Sequence, residues 1–369
     1  MKDEQTKSDF DIEMMQRCLE LAQRAAGKTT SNPLVGSVVV KNGKIIGEGF
    51  HPEAGQPHAE VFALRDAGEN AQGATVYVNL EPCNHYGRTP PCSEALIKAK
   101  VAKVVTGMVD PDPRVAGGGI EKLKKAGIEV LVGVEEQACR RVNEAFIHRI
   151  TKKQPFGILK YAMTLDGKIA ATGGHSAWVT GKSSRNLVHQ LRSTCDAVII
   201  GGNTVRKDNP NLTTHNVTEH NPLRVVMSRG LDLPRECNLW HTDIAPTLIF
   251  TENNSNAFLQ QELIDKGVEI ITVAALTPKI VMEYLYQKEL SKVLWECGGT
   301  LAAKAIADGT IQKVMAFIAP KIIGGTSAAS PVGNLNLTKM TDALQLKEIE
   351  VKAIASDILI EGYLSIDNR

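Results

Sequence analysis

The sequence reads Pro-His-Ala-Glu at residues 57–60 and Leu-Glu-Pro-Cys-Asn-His-Tyr-Gly-Arg-Thr-Pro-Pro-Cys at residues 80–92. This pattern predicts that His58 opens a helix, that Cys83 follows a strand, and that Cys92 opens the next helix. One imidazole and two thiolates give zinc three protein ligands and leave the fourth tetrahedral position to water, as in catalytic zinc sites. Glu60 comes two residues after His58, where we expect it to move protons rather than bind the metal.

These residues match the pattern of zinc-dependent deaminases, which is His-x-Glu followed by Pro-Cys and a second Cys. The spacing departs from that pattern, because eight residues rather than two separate Cys83 from Cys92. Zinc lowers the pKa of its water toward about 7 and so supplies hydroxide at neutral pH. A pair of reactive thiols without a metal is the alternative interpretation of the two cysteines.

Four polar residues near this stretch are candidates for substrate contacts. The loop between the cysteines can present the imidazole of His85 and the guanidinium of Arg88 beside the metal, and a phosphate on the substrate would use Arg88. Asn32 and His51 lie at the ends of elements that precede the zinc helix. Each of the four has an alternative interpretation as an ordinary turn or surface residue.

The first half alternates helices with short β-rich runs, which indicates an α/β layered domain. Helices are predicted at 11–26, 58–67, 92–99 and 117–126. Strands are predicted at 35–40, 44–50, 74–80, 103–108 and 129–134. Asn42-Gly43 between the first two strands is a strong hairpin signal.

A basic and polar stretch at 151–155 is the predicted linker, so we expect domains at residues 1–151 and 155–369. The second half is again α/β, and no Gly-x-Gly-x-x-Gly follows its first strand, which disfavours a Rossmann domain. Gly298-Gly299-Thr300 precedes a predicted helix, and its free amides suit a dinucleotide pyrophosphate, with a plain tight turn as the alternative. Ser228-Arg229 after the strand at 223–227 is a candidate for an adenosine 2′-phosphate or, equally, a surface turn.

Length and composition exclude several classes of protein. The 369 residues suggest about two domains of ~150 residues, and 43% hydrophobic residues weigh against disorder. A net charge of +1 disfavours a protein that coats nucleic acid or membrane surfaces. No apolar run approaches the ~20 residues of a membrane span, and residues 1–11 lack the apolar core of a signal peptide. Seven scattered cysteines fit reduced thiols, so we expect a cytoplasmic protein. We also expect a homo-oligomer, either a dimer or a tetramer.

Several motifs together resemble one family, the bifunctional riboflavin-biosynthesis deaminase/reductases. The motifs similar to the deaminase half of that family lie at 32–36, 47–51, 57–60 and 80–92. The motifs similar to the reductase half lie at 159–160, 164–168, 178–180, 196–210, 296–301 and 319–321. The resemblance covers nearly the whole chain.

The resemblance implies a cytidine-deaminase-like α/β/α layered N-terminal domain and a dihydrofolate-reductase-like α/β C-terminal domain. It implies zinc-dependent hydrolysis of the exocyclic amine of 2,5-diamino-6-(5-phosphoribosylamino)pyrimidin-4(3H)-one. The second domain would then use NADPH to reduce the ribosyl group of 5-amino-6-(5-phosphoribosylamino)uracil to ribityl. Small phosphoribosyl pyrimidines are therefore the expected partners.

The resemblance also implies a role for each residue at a matching position. Zinc would be held by His58, Cys83 and Cys92, with Glu60 as the catalytic residue. The first substrate would contact Asn32, His51, His85 and Arg88. NADPH would be bordered by Ala162, Trp178, Thr204, Asp208, Ser228, Gly298, Gly299, Thr300, Leu301, Ala302, Ala303 and Lys304. The second substrate would be bordered by Lys160, Ser176, Thr180, Arg192, Leu212, His215 and Glu296.

The sequence departs from the family at three positions of its second half. His215 stands where an arginine is usual, Met227 replaces an acidic residue common at that strand end, and Cys297 replaces the usual residue before the glycine pair. One alternative is therefore a deaminase whose second domain binds nucleotides without catalysis. A tRNA or nucleoside deaminase is disfavoured by the neutral charge and the long inter-cysteine loop. A nucleotide sensor with a vestigial zinc site is disfavoured by the intact ligands and proton shuttle.

Overall fold

The computed structural model describes residues 7–86, 90–113, 115–253 and 255–365. The chain divides into two compact units, Met1–Lys153 and Gln154–Arg369. This division falls inside the stretch at 151–155 that the sequence indicates as a linker. Among the described residues, no helix has both the length and the apolar character that a bilayer crossing requires.

The first unit is built on a five-stranded sheet. Its strands are β1 (Gly36–Lys41), β2 (Lys44–Phe50), β3 (Thr75–Val78), β4 (Lys103–Thr106) and β5 (Glu129–Val132). The strand order is β2-β1-β3-β4-β5. β1 is antiparallel to both of its neighbours, whereas β3, β4 and β5 run parallel. Asn42 and Gly43 both have positive φ between β1 and β2, as the tight hairpin predicted there requires.

Six α-helices accompany this sheet in the described residues of the unit. They are α1 (Asp9–Gln23), α2 (Ala59–Ala67), α3 (Cys92–Lys98), α4 (Gly118–Lys125), α5 (Glu136–Val142) and α6 (Glu144–Lys152). The sequence pattern predicts α1 to α4 but not α5 and α6. Those two helices bury only Cys139 fully, while Phe146 and Ile147 of α6 are partly buried against the core.

Glycines place α1 and α2 on opposite faces of the sheet. An added Cβ at Gly36 would lie 2.1 Å from the carbonyl oxygen of Cys18 in α1. An added Cβ at Gly49 would lie 2.5 Å from main-chain atoms of Ala59 and Ala63 in α2. Gly49 pairs with Ser37, the neighbour of Gly36, and consecutive strand residues face opposite sides. The unit is therefore a three-layered α/β/α arrangement, and α2 lies almost against the backbone of β2.

The second unit is built on a nine-stranded sheet in the order β10-β9-β8-β7-β11-β6-β12-β14-β13. Its strands are β6 (Phe156–Thr164), β7 (Ala197–Gly201), β8 (Leu223–Met227), β9 (Thr247–Glu252), β10 (Glu269–Val273), β11 (Lys292–Trp295), β12 (Lys313–Ala319), β13 (Leu346–Ile354) and β14 (Asp357–Leu364). Its helices are α7 (Lys182–Ser193), α8 (Gly202–Asp208), α9 (Ala257–Asp265), α10 (Pro278–Gln287) and α11 (Gly299–Ala307). The sequence pattern does not predict β13, an edge strand exposed along most of its length.

The parallel part of this sheet brings several segments to one edge. The seven strands from β10 to β12 in the sheet order are parallel. The residues that follow β6, β7, β8 and β11 therefore meet at the carboxyl ends of these strands. The chain proceeds outward from β7 to β10 and then returns to β11, which lies on the other side of β7. A reversal of strand order opens a crevice at the carboxyl ends of the strands, where open α/β sheets bind ligands.

Arg224 of β8 is completely buried and has no carboxylate partner among the residues described. Its guanidinium donates to main-chain carbonyls of Leu239, His241 and Ala245 at 3.0, 2.9 and 2.5 Å. Longer contacts reach the carbonyls of Asn211 and Asn238. Burial lowers the pKa of Arg224 to about 10, so the group keeps its charge at neutral pH. This one side chain ties the segment at 238–245 to the sheet.

We expect Gly49→Ala to destabilise the first unit by about 1–3 kcal/mol, because the new methyl group would clash with backbone atoms of α2 that cannot yield as a side chain can. Urea unfolding of the full chain measures the change. Gly173→Ala is the control, since no atom lies within 4 Å of an added Cβ there. Equal stability of the Gly49→Ala and natural chains would contradict the close packing of α2 on β2.

Candidate active sites

The three sulfur and nitrogen donors predicted from the sequence lie together in the first unit. His58 precedes α2, Cys92 is the first residue of α3, and Cys83 lies in the segment between β3 and α3. His58 Nδ1 is 3.5 Å from Cys83 Sγ and 3.2 Å from Cys92 Sγ, and all three atoms lie within 4.8 Å of one another. Ligands of a tetrahedral zinc ion are about 3.5 Å apart, so these donors fit zinc.

Hydrogen bonding prepares Cys83 to bind a metal as the thiolate. The Cys92 thiol and His58 both stabilise the charged sulfur, which lowers the pKa of Cys83 to about 4. The backbone N–H of Cys92 also donates to Cys83 Sγ at 3.3 Å. The same contact with Cys83, together with burial, raises the pKa of Cys92. Metal binding requires deprotonated thiols, so zinc would release the proton of Cys92 on binding.

Glu60 lies in the first turn of α2 and is only 3% exposed. Burial raises the pKa of Glu60 to about 7, and the neighbouring charge of Cys83 acts in the same direction. A carboxyl group with a pKa near neutrality both accepts and donates protons readily at that pH. The side chain is therefore suited to proton transfer beside the cluster.

Asn32 and His51 lie next to the donor cluster. His51 Nδ1 is 3.1 Å from the carbonyl oxygen of Pro57, and its Nε2 is 3.1 Å from Asn32 Nδ2. A carbonyl only accepts, so Nδ1 carries the proton and Nε2 accepts from the Asn32 amide. Burial lowers the pKa of His51, which favours this neutral form. The rings of His51 and His58 meet edge to face with centroids 5.4 Å apart. Of the other two candidates for substrate contacts, His85 is exposed, and Arg88 lies outside the described residues.

The role of Glu81 is not evident from the sequence. One oxygen of its buried carboxylate accepts from the backbone N–H groups of Asp110 and Gly117, at 3.1 and 2.9 Å. The other oxygen accepts from Gly119 and Ile120, at 2.9 and 3.2 Å. Glu81 therefore holds the segment at 110–120 against the turn that carries Cys83. Its position immediately before Pro82-Cys83 is the signal that could have singled it out.

Three charged residues of the second unit form a largely buried cluster. Arg192 of α7 binds Glu296 through two nitrogens, at 2.5 and 3.1 Å, and Lys160 of β6 lies 3.5 Å from the same carboxylate. Burial alone would raise the pKa of Glu296, but the charges of Arg192 and Lys160 outweigh it and lower that pKa to about 2. Two cations share one carboxylate, so the cluster carries a net positive charge.

A pair of stacked histidines lies beside this cluster. The rings of His189 and His215 have centroids 4.0 Å apart and are inclined by 21°. Burial and the nearby His215 lower the pKa of His189 to about 4, and burial and Arg192 also lower the pKa of His215. His189 is not among the candidates predicted from the sequence. It lies three residues before Arg192, so the two side chains share one face of α7.

A cavity of about 730 Å³ opens at the carboxyl ends of β7, β8 and β11. The predicted cofactor contacts that line it are Thr204, Asp208, Ser228, Gly298, Gly299, Thr300, Leu301 and Lys304. Ser176, predicted to contact the substrate, also lines the cavity and donates to Asp208 Oδ1 at 3.0 Å.

Other predicted contacts of the second unit lie elsewhere. Ala162, Trp178, Ala302 and Ala303 are not among the described residues that line the cavity, and both alanines of α11 are buried in the core. Trp178 is 68% exposed beneath the guanidinium of Arg185, 4.3 Å from its ring centroid. Thr180 and Leu212 are buried.

The cavity suits a dinucleotide. No described atom lies within 4 Å of an added Cβ at Gly298, so the backbone there is open to a ligand. At Gly299 an added Cβ would lie 2.5 Å from the carbonyl oxygen of Ser330, so only glycine fits where α11 begins. Open backbone and free amides at the start of this helix suit the close approach of a pyrophosphate.

Comparison with known proteins matches both halves of the chain. The cytidine and deoxycytidylate deaminase zinc-binding region matches residues 8–108, and the RibD C-terminal domain matches residues 155–360. The riboflavin biosynthesis protein RibD of Synechocystis sp. is 62% identical over 350 residues, which cover 95% of each chain.

Solved structures show the same correspondence over almost the entire chain. Acinetobacter baumannii RibD, in its first form, superposes with a TM-score of 0.86 at 39% identity, covering 96% of this chain and 99% of that one. A Thermotoga maritima protein superposes with a TM-score of 0.84 at 35% identity and the same coverage. That protein is described as a diaminohydroxyphosphoribosylaminopyrimidine deaminase and 5-amino-6-(5-phosphoribosylamino)uracil reductase.

We expect the purified chain to contain one zinc ion, and Cys83→Ser to lose most of it, because serine does not supply the thiolate that zinc prefers. Metal content is measured by atomic absorption after dialysis. Cys237→Ser is the matched control, since Cys237 is a free cysteine of the second unit. Full retention of zinc by the Cys83→Ser chain would contradict the assigned ligand set.

Proposed function

Because this chain belongs to the RibD family of bifunctional riboflavin-biosynthesis deaminase/reductases, we propose that its two units act in succession on one phosphoribosyl pyrimidine. The family uses zinc for the deaminase and NADPH for the reductase. The proposed first substrate is 2,5-diamino-6-(5-phosphoribosylamino)pyrimidin-4(3H)-one, and the proposed second is its deaminated product. The single observation that carries the first step is the placement of buried Glu60 beside three zinc-type donors.

In the deaminase unit, His58, Cys83 and Cys92 would hold the zinc ion. Zinc, when bound, activates water for hydrolysis at neutral pH. Glu60 accepts a proton from the attacking water and passes it to a ring nitrogen of the pyrimidine. It then moves the second proton of that water from the oxygen to the amine, which leaves as ammonia while the oxygen stays on the ring as a carbonyl. The buried site around Glu60 keeps these transfers away from bulk solvent.

Asn32 and His51 orient the ring of the first substrate. The neutral His51 ring is fixed by the Pro57 carbonyl on one side and by Asn32 on the other. The second hydrogen and the oxygen of the Asn32 amide have no partner among the described residues, so they remain to recognise polar groups of a pyrimidine. His85 and Arg88 come from the inter-cysteine loop, and we assign them to the ribose phosphate.

In the reductase unit, the residues lining the 730 Å³ cavity would hold NADPH, which supplies a hydride. The largely buried cluster of Lys160, Arg192 and Glu296 does not line the cavity itself, but Glu296 lies two positions before the lining residue Gly298. Lys160 donates a proton to the ribose ring oxygen as the ring opens at C1′. The cluster's net positive charge stabilises the oxygen until that proton arrives.

Two reciprocal substitutions test this division of labour in the same chain. We expect Glu60→Gln to lower ammonia release by at least ~100-fold, because the amide does not transfer protons as a carboxyl does. NADPH oxidation with the deaminated substrate should stay at the natural rate. Glu296→Gln should lower NADPH oxidation and leave ammonia release at the natural rate. The reason is that it leaves the charges of Lys160 and Arg192 uncompensated in a largely buried site.

Each variant is the folding control for the other, since both activities are measured on both proteins. Ammonia release by the Glu60→Gln chain at the rate of the natural chain would contradict the proposed role of Glu60 in proton transfer. A natural chain that releases ammonia but does not oxidise NADPH with the deaminated substrate would favour the deaminase-only alternative.

We also propose that the enzyme is a cytoplasmic homo-oligomer, a dimer or a tetramer. Its seven cysteines are unpaired, as is usual in a reducing compartment. Val351 of edge strand β13 and Ile358 of β14 are 65% and 44% exposed, which leaves an apolar surface beside an unpaired strand edge. We expect light scattering to give a multiple of the 39.9 kDa chain mass and Val351→Lys to lower it. A monomeric natural chain would contradict the proposal.

A further inference from the structure

The cavity of the second unit has two chemically different ends. Along the sheet the order is β8, β7, β11 and β6, so three strand spacings, about 14 Å, separate the segments after β8 and β6. Lys160 of β6 and Glu296 after β11 do not line the cavity, but they lie on the side of β7 opposite to β8, where the proposed function has the hydride transferred. A cofactor whose nicotinamide lies there extends its adenosine toward β8, where Ser228 and Arg229 line the cavity.

Arg206, in the last turn of α8, lines this adenosine end of the cavity. Its Nη1 donates to the main-chain oxygen of Asp232 at 2.7 Å and lies 2.8 Å from the carboxylate of the same residue. Its Nη2 donates to the side-chain oxygen of Asn203. These contacts orient the guanidinium, whose side chain is 37% exposed, at this end of the cavity.

The contacts of Arg206 leave two of the five N–H groups of the guanidinium available. The Nε–H and the second Nη2–H have no acceptor among the residues that the structure describes. A guanidinium presents paired donors in a fixed plane that matches phosphate oxygens. Asp232 engages Nη1 and so orients the group without covering Nε.

Arg229 is the competing candidate, because it lines the same end and its neighbour Ser228 belongs to the proposed cofactor contacts. The Arg229 side chain has no polar contact with described residues, and only its carbonyl is engaged, by Thr251 Oγ1 and the N–H of Glu252. A side chain that is already fixed loses less conformational entropy on binding. Arg206 is the better-organised cation.

We propose that Arg206, oriented by Asp232 and Asn203, recognises the 2′-phosphate of NADPH and makes this reductase prefer NADPH to NADH. The inference rests on the proposed function in one respect, that the cofactor occupies the 730 Å³ cavity. Lys207 and Lys304 also line this cavity and add positive charge along the remainder of the polyphosphate. Arg206 differs from them in offering two coplanar donors at the ribose end.

Equilibrium binding to the full-length, zinc-containing chain tests the proposal without catalysis. Isothermal titration calorimetry gives the Kd of NADPH, NADH, adenosine 2′,5′-bisphosphate and 5′-AMP. We expect Arg206→Leu to weaken NADPH and the bisphosphate by about 10- to 100-fold, the usual effect of losing a charged hydrogen-bond pair. Binding of NADH and 5′-AMP should change less than about twofold. Arg206→Lys, which keeps the charge but not the planar edge, should be intermediate.

Two further variants serve as comparisons. Arg229→Leu tests the competing side chain. Arg235→Leu removes one positive charge outside the cavity, where Arg235 packs over Phe258 at 4.9 Å and lies 3.5 Å from Glu262. Ammonia release at the natural rate reports that the first unit of every variant is folded, and unchanged 5′-AMP binding reports that the second unit is folded.

The outcomes separate the inference from the function on which it rests. An unchanged NADPH-to-NADH affinity ratio in Arg206→Leu, or a ratio that collapses only in Arg229→Leu, would overturn the assignment of Arg206. A natural chain that binds both dinucleotides equally well would overturn it too. A natural chain that binds neither dinucleotide would instead overturn the proposed cofactor site.

Discussion

In each unit, a largely buried glutamate follows a strand of the central sheet and holds together segments that are distant in sequence. Glu81 follows β3 and accepts four backbone N–H groups from residues 110–120. Glu296 follows β11 and binds Arg192, 104 residues away, together with Lys160. Burying a carboxylate costs several kcal/mol unless its oxygens are fully engaged. Each glutamate therefore fixes the geometry of its site, because displacing any partner would leave a carboxylate oxygen unsatisfied at that cost in free energy.

The partners of the two glutamates differ, and the difference suits the chemistry of each site. Glu81 is satisfied by neutral backbone groups, so it brings no cationic side chain near the donors that fit zinc. Glu296 is satisfied by two cations, and its cluster keeps a positive charge. The first arrangement is compatible with a metal cation, and the second with a phosphorylated substrate and a reaction that develops negative charge on oxygen.

The sequence predicts the donor cluster and the family because each donor lies at a strand-to-helix junction within a short, specific motif. The resemblance to riboflavin-biosynthesis deaminase/reductases is confirmed by relatives that match 95% of the chain, and so is the mixed α/β fold of both halves. What the sequence does not predict depends on contacts made only after folding. His189 and Arg206 look like ordinary surface residues until His215 and Asp232 pack against them. α5, α6 and β13, which are not predicted either, bury few side chains fully.

Arg224 ties the segment at 238–245 to β8 entirely through main-chain carbonyls. A carbonyl is present whatever side chain its residue carries, so substitution at the partner positions leaves the acceptors in place. The evolutionary constraint from these hydrogen bonds therefore falls on position 224 alone and not on the residues of the segment. Related chains are free to diverge along this segment while keeping its path, provided that they retain the arginine, because no other side chain offers as many fixed donors.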